Sequence, residues 1–239
     1  MPLSNPDQLQ LQDANARHLW IVIPAFNEGV VIGDVVTGVR DRYPNVIVVD
    51  DCSSDESGET ALQAGAVVLR HPVNLGQGAA LETGIRYALA QGAEFVVTFD
   101  ADGQHRVEDI PVLLRQYRET GADVVVGSRF LGCALGLPPL RRLVLKLAVV
   151  FMRLSSGIPM TDAHNGLRLF TRQAAERIRI RQNRMAHASE IVEQVGALGL
   201  SVTEAPVTII YTERSLRKGQ RLGNAFNIVW DMIVARMRK

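Results

Sequence analysis

EFVVTFDADGQH, residues 94–105, decides how this chain is read. A mostly apolar, β-favouring run leads directly into two aspartates, Asp100 and Asp102, one residue apart. Carboxylates at the end of a buried strand cost folding energy unless a cation or tight hydrogen bonds compensate them. In open α/β sheets, ligands bind in the crevice outside the carboxyl ends of the strands. Asp-x-Asp also suits a hard divalent cation, with diphosphate oxygens completing its octahedral shell. Gln104 and His105 follow closely enough to line the same place. The same residues could also form a plain strand-to-helix turn, with Asp100 or Asp102 capping the next helix.

Working outward, short apolar strands alternate with helices. HLWIVI (18–23), NVIVVD (45–50), AVVLR (66–70), EFVVTF (94–99) and DVVVGS (123–128) read as strands. Helices are expected over 30–42, 55–64, 77–91 and 107–119, with Pro111 tolerated only in a first turn. Continuous apolar strands separated by helices predict an α/β fold: a Rossmann-like, mostly parallel sheet flanked by helices. The second half has a different texture. It shows a cationic amphipathic helix over 138–155, a strand at 167–171, a helix at 187–198, a strand at 202–211 and an amphipathic helix at 221–238. Residues 1–17 read as a polar arm.

The chain of 239 residues has a net charge of only +1, but its halves differ. Residues 1–120 carry 8 Lys and Arg against 17 Asp and Glu, net −9; residues 121–239 carry 18 against 8, net +10. An acidic half suits a metal, and a basic half suits phosphates or an anionic lipid surface. No interleaving of aromatic and basic residues and no zinc-ligand spacing supports nucleic acid as a partner. Cys52 and Cys133 lie far apart and read as free thiols of a reducing cytoplasm. There is no signal-peptide pattern. The longest apolar stretch, Leu137 to Met160, is interrupted by Arg141, Arg142, Lys146 and Arg153, so it does not read as a membrane span.

Six segments, in order, carry a family resemblance: IVIPAFNE (21–28), VIVVDDCSSD (46–55), NLGQGAALETGI (74–85), FDADGQHRVEDIPVLL (99–114), GSRF (127–130) and TDAHNGLRLF (161–170). Together they resemble the inverting family 2 glycosyltransferases of the GT-A fold. Within that family they resemble the branch of dolichyl- and polyprenyl-phosphate sugar synthases, as does HASEIVEQVGALGLSVTEAPVTIIYTER (187–214). The resemblance implies a glycosyltransferase domain over 18–214, with a nucleotide-binding half (18–128) and an acceptor half (129–214). A basic loop and C-terminal helix follow over 215–239.

It also implies roles. Pro24, Ala25, Asn27 and Glu28 would lie under the base and ribose of a nucleotide diphosphate sugar; Glu28 could instead belong to a helix's first turn. One of Asp50 and Asp51 would contact the base, while Asp51, Ser53 and Ser54 are also good turn residues. Gly76 and Gly78 open a helix whose free N–H groups would attract phosphate, though a tight loop needs the same glycines. Asp100, Asp102 and Gln104 would hold Mg²⁺ or Mn²⁺, with Ala101 beside the donor.

On the acceptor side, Arg129 would bind phosphate through its fork or form an ion pair with a nearby acid. Asp162 would orient an acceptor or Arg129, and Arg168 matches a family position. His164 reads as a solvated or hydrogen-bonded loop histidine. Glu190, on a helical face with His187, would serve as a base for a hydroxyl acceptor or be an exposed helix residue. Tyr211, Arg214 and Lys218 would belong to a cationic loop closing over bound diphosphate, or to a solvated basic loop; the run ends KGQR and the spacing from Arg214 to Gly219 is longer than in relatives, which leaves the acceptor assignment open. The expected acceptor is a polyprenyl phosphate at a membrane surface that the chain meets peripherally, on its inner, cytoplasmic face. A hydroxyl of a lipid-linked or polysaccharide acceptor stands second. A nucleotidylyltransferase would carry a Gly-rich, Lys/Arg-bearing loop after the first strand, where this chain has PAFNE. A nucleotide-sugar-binding protein without activity would be expected to lose one of the two aspartates.

Overall fold

A computed structural model describes residues 18–156, 158–162, 164–182 and 186–211. The elements run β1 (Leu19–Ala25), α1 (Ile32–Arg40), β2 (Asn45–Asp50), α2 (Ser57–Gln63), β3 (Val67–Arg70), α3 (Gln77–Ala90) and β4 (Phe95–Thr98). After a 3₁₀ turn at Val107–Asp109 come α4 (Ile110–Thr120), β5 (Val124–Leu135), α5 (Pro139–Ser156), β6 (Arg168–Thr171), α6 (Arg172–Arg177), α7 (Ala186–Ala197) and β7 (Val202–Ile210). The N-terminal arm, Arg214, Lys218 and the helix expected over 221–238 lie outside the described residues.

The strands form one seven-stranded sheet in the order β3-β2-β1-β4-β6-β5-β7. Only β6 runs antiparallel to its neighbours, β4 and β5. Alternation along β1 builds two cores. Leu19, Ile21 and Ile23 pack on one face with Ile32, Val36 and Val39 of α1 and Leu113 of α4. Val22 and the β2 residues Ile47 and Val49 pack on the other with Ala80, Leu81 and Ile85 of α3 and Ile191 and Val195 of α7. Both faces are therefore covered, which is why the strands read as unbroken apolar runs.

The elements expected from sequence are present within the described residues, with two differences. β5 extends to Leu135 instead of ending at Ser128, because after a register shift between Ser128 and Cys133 it pairs with β7 again at Cys133–Leu135. The short helix α6, capped by the Thr171 hydroxyl accepting from the Ala174 N–H, was not expected. Cys52 and Cys133 are free thiols.

Candidate active site

The carboxyl ends of β1, β2 and β4 point the same way, since all three strands are parallel. Asp100 and Asp102 leave β4 there. Asp100 Oδ2 accepts from His105 Nε2 at 3.0 Å, and its Oδ1 accepts from Gln77 Nε2 at 3.2 Å. The His105 side chain is buried, with its ring 5.5 Å from that of Phe99. Burial alone would push the Asp100 carboxyl up, but the His105 hydrogen bond and the charges of His105, His187 and Arg168 together hold it below its usual value. Asp102 goes the other way: burial, then the Asp100 charge, raise it, and Glu28 adds to the repulsion.

Asp102 Oδ1 accepts from the Gln104 backbone N–H at 3.0 Å, and Oδ2 accepts from the Gln104 amide. Gln104 thus turns its nitrogen to the carboxylate here; a half-turn of the amide would present a ligand oxygen at the same place. Two adjacent carboxylates that repel each other fit a small hard cation, which removes the repulsion. The space beside them depends on Gly166, where a Cβ would lie 2.1 Å from Asp100 Oδ2. Among the described residues no three His, Cys, Asp or Glu side chains form a metal cage.

At the ends of β1 and β2 the acids serve the backbone. Pro24 and Ala25 close β1, and the Ala25 carbonyl accepts from the Asp51 N–H. Asn27 takes φ 54° and accepts from the Ser54 N–H at 2.9 Å. Glu28 is buried and lies before α1, not in its first turn; the acid there is Asp34. Asp50 is fully buried, accepts from the Ser53 N–H and pairs with Arg70 at 3.4 Å. Asp51 accepts from the Leu75 and Gly76 N–H groups at 2.9 and 2.7 Å and from His71 Nδ1 at 2.7 Å. The expectation of a free N–H at Gly76 is therefore corrected: Asp51 takes it. Gly76 is needed for its φ of 94° and Gly78 for packing, because a Cβ at Gly78 would lie 2.1 Å from the Gln182 carbonyl oxygen. Ala101 is buried between the two site aspartates.

The residues expected on the acceptor side form a second cluster. Arg129 donates through Nε to Asp162 Oδ2 at 2.6 Å, and through its backbone N–H to the same oxygen at 3.0 Å. Its Nη1 donates to the Tyr211 hydroxyl. Although burial would lower it, the Asp162 and Tyr211 contacts raise the guanidinium's pKa, so Arg129 stays a fixed cation. Arg141, on α5, places its guanidinium 5.1 Å from the Tyr211 ring centre, with Nη1 buried and without a hydrogen-bond partner among the described residues.

Glu204 of β7 accepts from the Thr161 and Asp162 N–H groups, fixing the loop that carries Asp162. Asn165 donates to Asp162 Oδ2 at 3.3 Å, and the next residue is Gly166 against Asp100. Asp162, Asn165 and Gly166 thereby join the two clusters. Arg168, fully buried, feels both Asp100 and Asp162; burial lowers it to about 10. His164 is half-buried, with its Nε2 out of reach of solvent; burial, then the Arg168 charge, bring it down to about 4, so it is neutral at pH 7.

Glu190 is corrected on one point: it is buried, not an exposed helix residue, and its Oε2 accepts from the Arg181 and Gln182 N–H groups at 2.9 and 2.8 Å. Sequence reasoning passed over His71, Gln77 and Glu204. Only Glu204 carried a signal, as the single charged residue of its strand.

A seven-stranded sheet with one reversed strand, and an Asp-x-Asp at the end of β4, define the GT-A class of fold. The chain belongs to glycosyl transferase family 2, whose profile matches residues 20–179, and it is a glycosyltransferase. Among relatives, it is 31% identical to a UDP-N-acetylglucosamine–dolichyl-phosphate N-acetylglucosaminyltransferase of Methanococcus voltae, over 92% of this chain and 97% of that protein. It is 30% identical to an undecaprenyl-phosphate mannosyltransferase of Micrococcus luteus, over 89% and 90%. Its fold is also that of glucosyl-3-phosphoglycerate synthase from Mycobacterium tuberculosis, crystallised with Mn²⁺, UDP-glucose and phosphoglyceric acid. That likeness has a TM-score of 0.73 and 20% identity, and covers 99% of this chain and 85% of that one.

Proposed function

We propose that this glycosyltransferase moves one sugar, with inversion, from a nucleotide diphosphate sugar to a polyprenyl phosphate. The observation that carries the acceptor class is the state of Glu190. A hydroxyl acceptor needs a base, and the carboxylate expected to serve is committed through Oε2 to the backbone of residues 181 and 182. A phosphate is already anionic at neutral pH and needs none. The relatives named for dolichyl- and undecaprenyl-phosphate transfer support the same reading.

In this reading the PAFNE loop and the end of β2 receive the nucleoside. Asp100 and Asp102, with Gln104, would hold Mg²⁺ or Mn²⁺, which when bound would neutralise charge on the departing diphosphate. Arg129 and Arg141, on either side of Tyr211, take the acceptor phosphate, with Asp162 keeping the Arg129 fork in place. Gln77 and His105 orient Asp100. A phosphate oxygen forms its bond to the anomeric carbon as the bond from that carbon to the diphosphate oxygen breaks. The nucleoside diphosphate leaves with the electron pair, and no proton need be removed from the acceptor.

The test is transfer from UDP-, GDP- and dTDP-sugars to detergent-dispersed polyprenyl phosphate, with Mg²⁺, Mn²⁺ or EDTA, scoring organic-extractable product. Metal-dependent lipid product is expected. Nucleotide release only with a hydroxyl acceptor would overturn the phosphate assignment and return Glu190 to the role of base.

A further inference from the structure

One helix shows its apolar side to solvent. On α5, Leu140, Leu143, Leu147 and Val150 are 59, 55, 60 and 53% exposed. Their spacing of three, four and three residues places them in one stripe within roughly a quarter of the helix circumference. Arg142, Lys146 and Arg153, all exposed, form a second stripe along one edge of the first. Val149 is buried on the other side. Leu131 and Leu135, in the strand that leads into the helix, are 51 and 49% exposed. From Val124 to Thr161 the chain contains no Asp or Glu and five cations. The same helix carries Arg141, whose guanidinium lies over Tyr211 in the acceptor-side cluster.

We infer that α5 is an interfacial helix that seats this face on an anionic bilayer, with Leu140, Leu143, Leu147 and Val150 among the acyl chains and Arg142, Lys146 and Arg153 at the headgroups. An apolar stripe edged by cations on a helix lying in the membrane plane has this chemistry. No described helix is long and apolar enough to cross a membrane, so the contact is along the surface. Charge selects the bilayer over two other occupants. A second copy in two-fold contact would oppose this acid-free cationic face with itself. The segment 221–239 carries four cations and one acid, so it too is of like charge. The inference rests on exposure and charge and does not depend on the transfer reaction.

The experiment is flotation of the full chain with vesicles of phosphatidylcholine alone, or mixed with phosphatidylglycerol, both free of polyprenyl phosphate. Binding to the mixed vesicles is expected, weakened by salt. Leu143→Glu with Leu147→Glu lowers partitioning more than about tenfold. Arg142→Gln with Lys146→Gln lowers it about tenfold or more on anionic vesicles and hardly at all on neutral ones. Because all four positions are exposed, the thermal midpoints of both variants stay near that of the parent, and sedimentation shows the same oligomeric state. Absence of binding, or parental binding by both variants, overturns the inference. So does a marked drop in thermal midpoint on Leu143→Glu with Leu147→Glu, which assigns the stripe to another segment of the chain. A change from dimer to monomer in that variant assigns it to a second copy.

Discussion

The cluster at the ends of β1 and β2 and the cluster around Arg129 spend their charged residues differently. At the ends of β1 and β2, acids chiefly accept backbone N–H groups: Asp50 meets Ser53, Asp55 meets Ser57, and Asp51 meets Leu75 and Gly76, 24 and 25 residues on. Around Arg129 an acid meets a buried cation instead, through contacts between distant segments. Arg129 meets Asp162 across 33 residues and Tyr211 across 82, and Thr161 meets Glu204 across 43. The first kind of contact shapes a loop. The second buries the Arg129 cation against Asp162, where removing either member leaves an uncompensated charge.

This contrast can be broken or sharpened in order of expected effect. Asp102→Ala should lower turnover about a thousandfold or more, the scale of several kcal/mol of leaving-group stabilisation. Because it also removes repulsion with Asp100, the metal-free thermal midpoint should stay level or rise; a calorimetric drop would mean that Asp102 is structural. Next, Asp162→Ala should cost about 3–5 kcal/mol in urea unfolding by stranding buried Arg129. The turn acid in Asp55→Ala should cost only about 1 kcal/mol. Equal costs would erase the distinction between the two clusters.

The third test is pH. The unfolded chain protonates His164 near its usual 6.5, and the folded chain does so only near 4. Between those values the unfolded state binds the extra proton, so stability falls as pH falls. The loss is up to about 3 kcal/mol by pH 4, with none from this group above pH 6.5. Urea unfolding of His164→Gln across this range should lack that component. The smallest effect is just past the end of β2, where Cys52 holds φ 63°. Cys52→Gly should relieve about 0.5–1 kcal/mol of left-handed strain and raise the thermal midpoint by about 1–4 °C.

Much of the site was legible because its signals are local. Strand ends, Asp-x-Asp and a Gly-rich helix start are read within a dozen residues, and the structure gathers Asp100, Asp102, Gln104 and His105 as the stretch 94–105 suggested. Arg129 and Asp162 were recognised one at a time, but their pairing was one of several open choices. His71 and Gln77 gave no sign, since a histidine after a strand and a glutamine at a helix start are ordinary residues until a carboxylate faces them.

By itself, then, the sequence determined the alternation of strands and helices, the covered, mostly parallel sheet and the pair of acids at its carboxyl edge, because apolar periodicity and turn chemistry act over short distances. Only the tertiary structure decided which charges neutralise one another. It bound Glu190 to a backbone loop, gave the Gly76 N–H to Asp51, packed Gly166 against Asp100 and left one face of α5 uncovered. Those outcomes depend on which distant segments the sheet order brings side by side, and on the cost of leaving any buried charge without a partner.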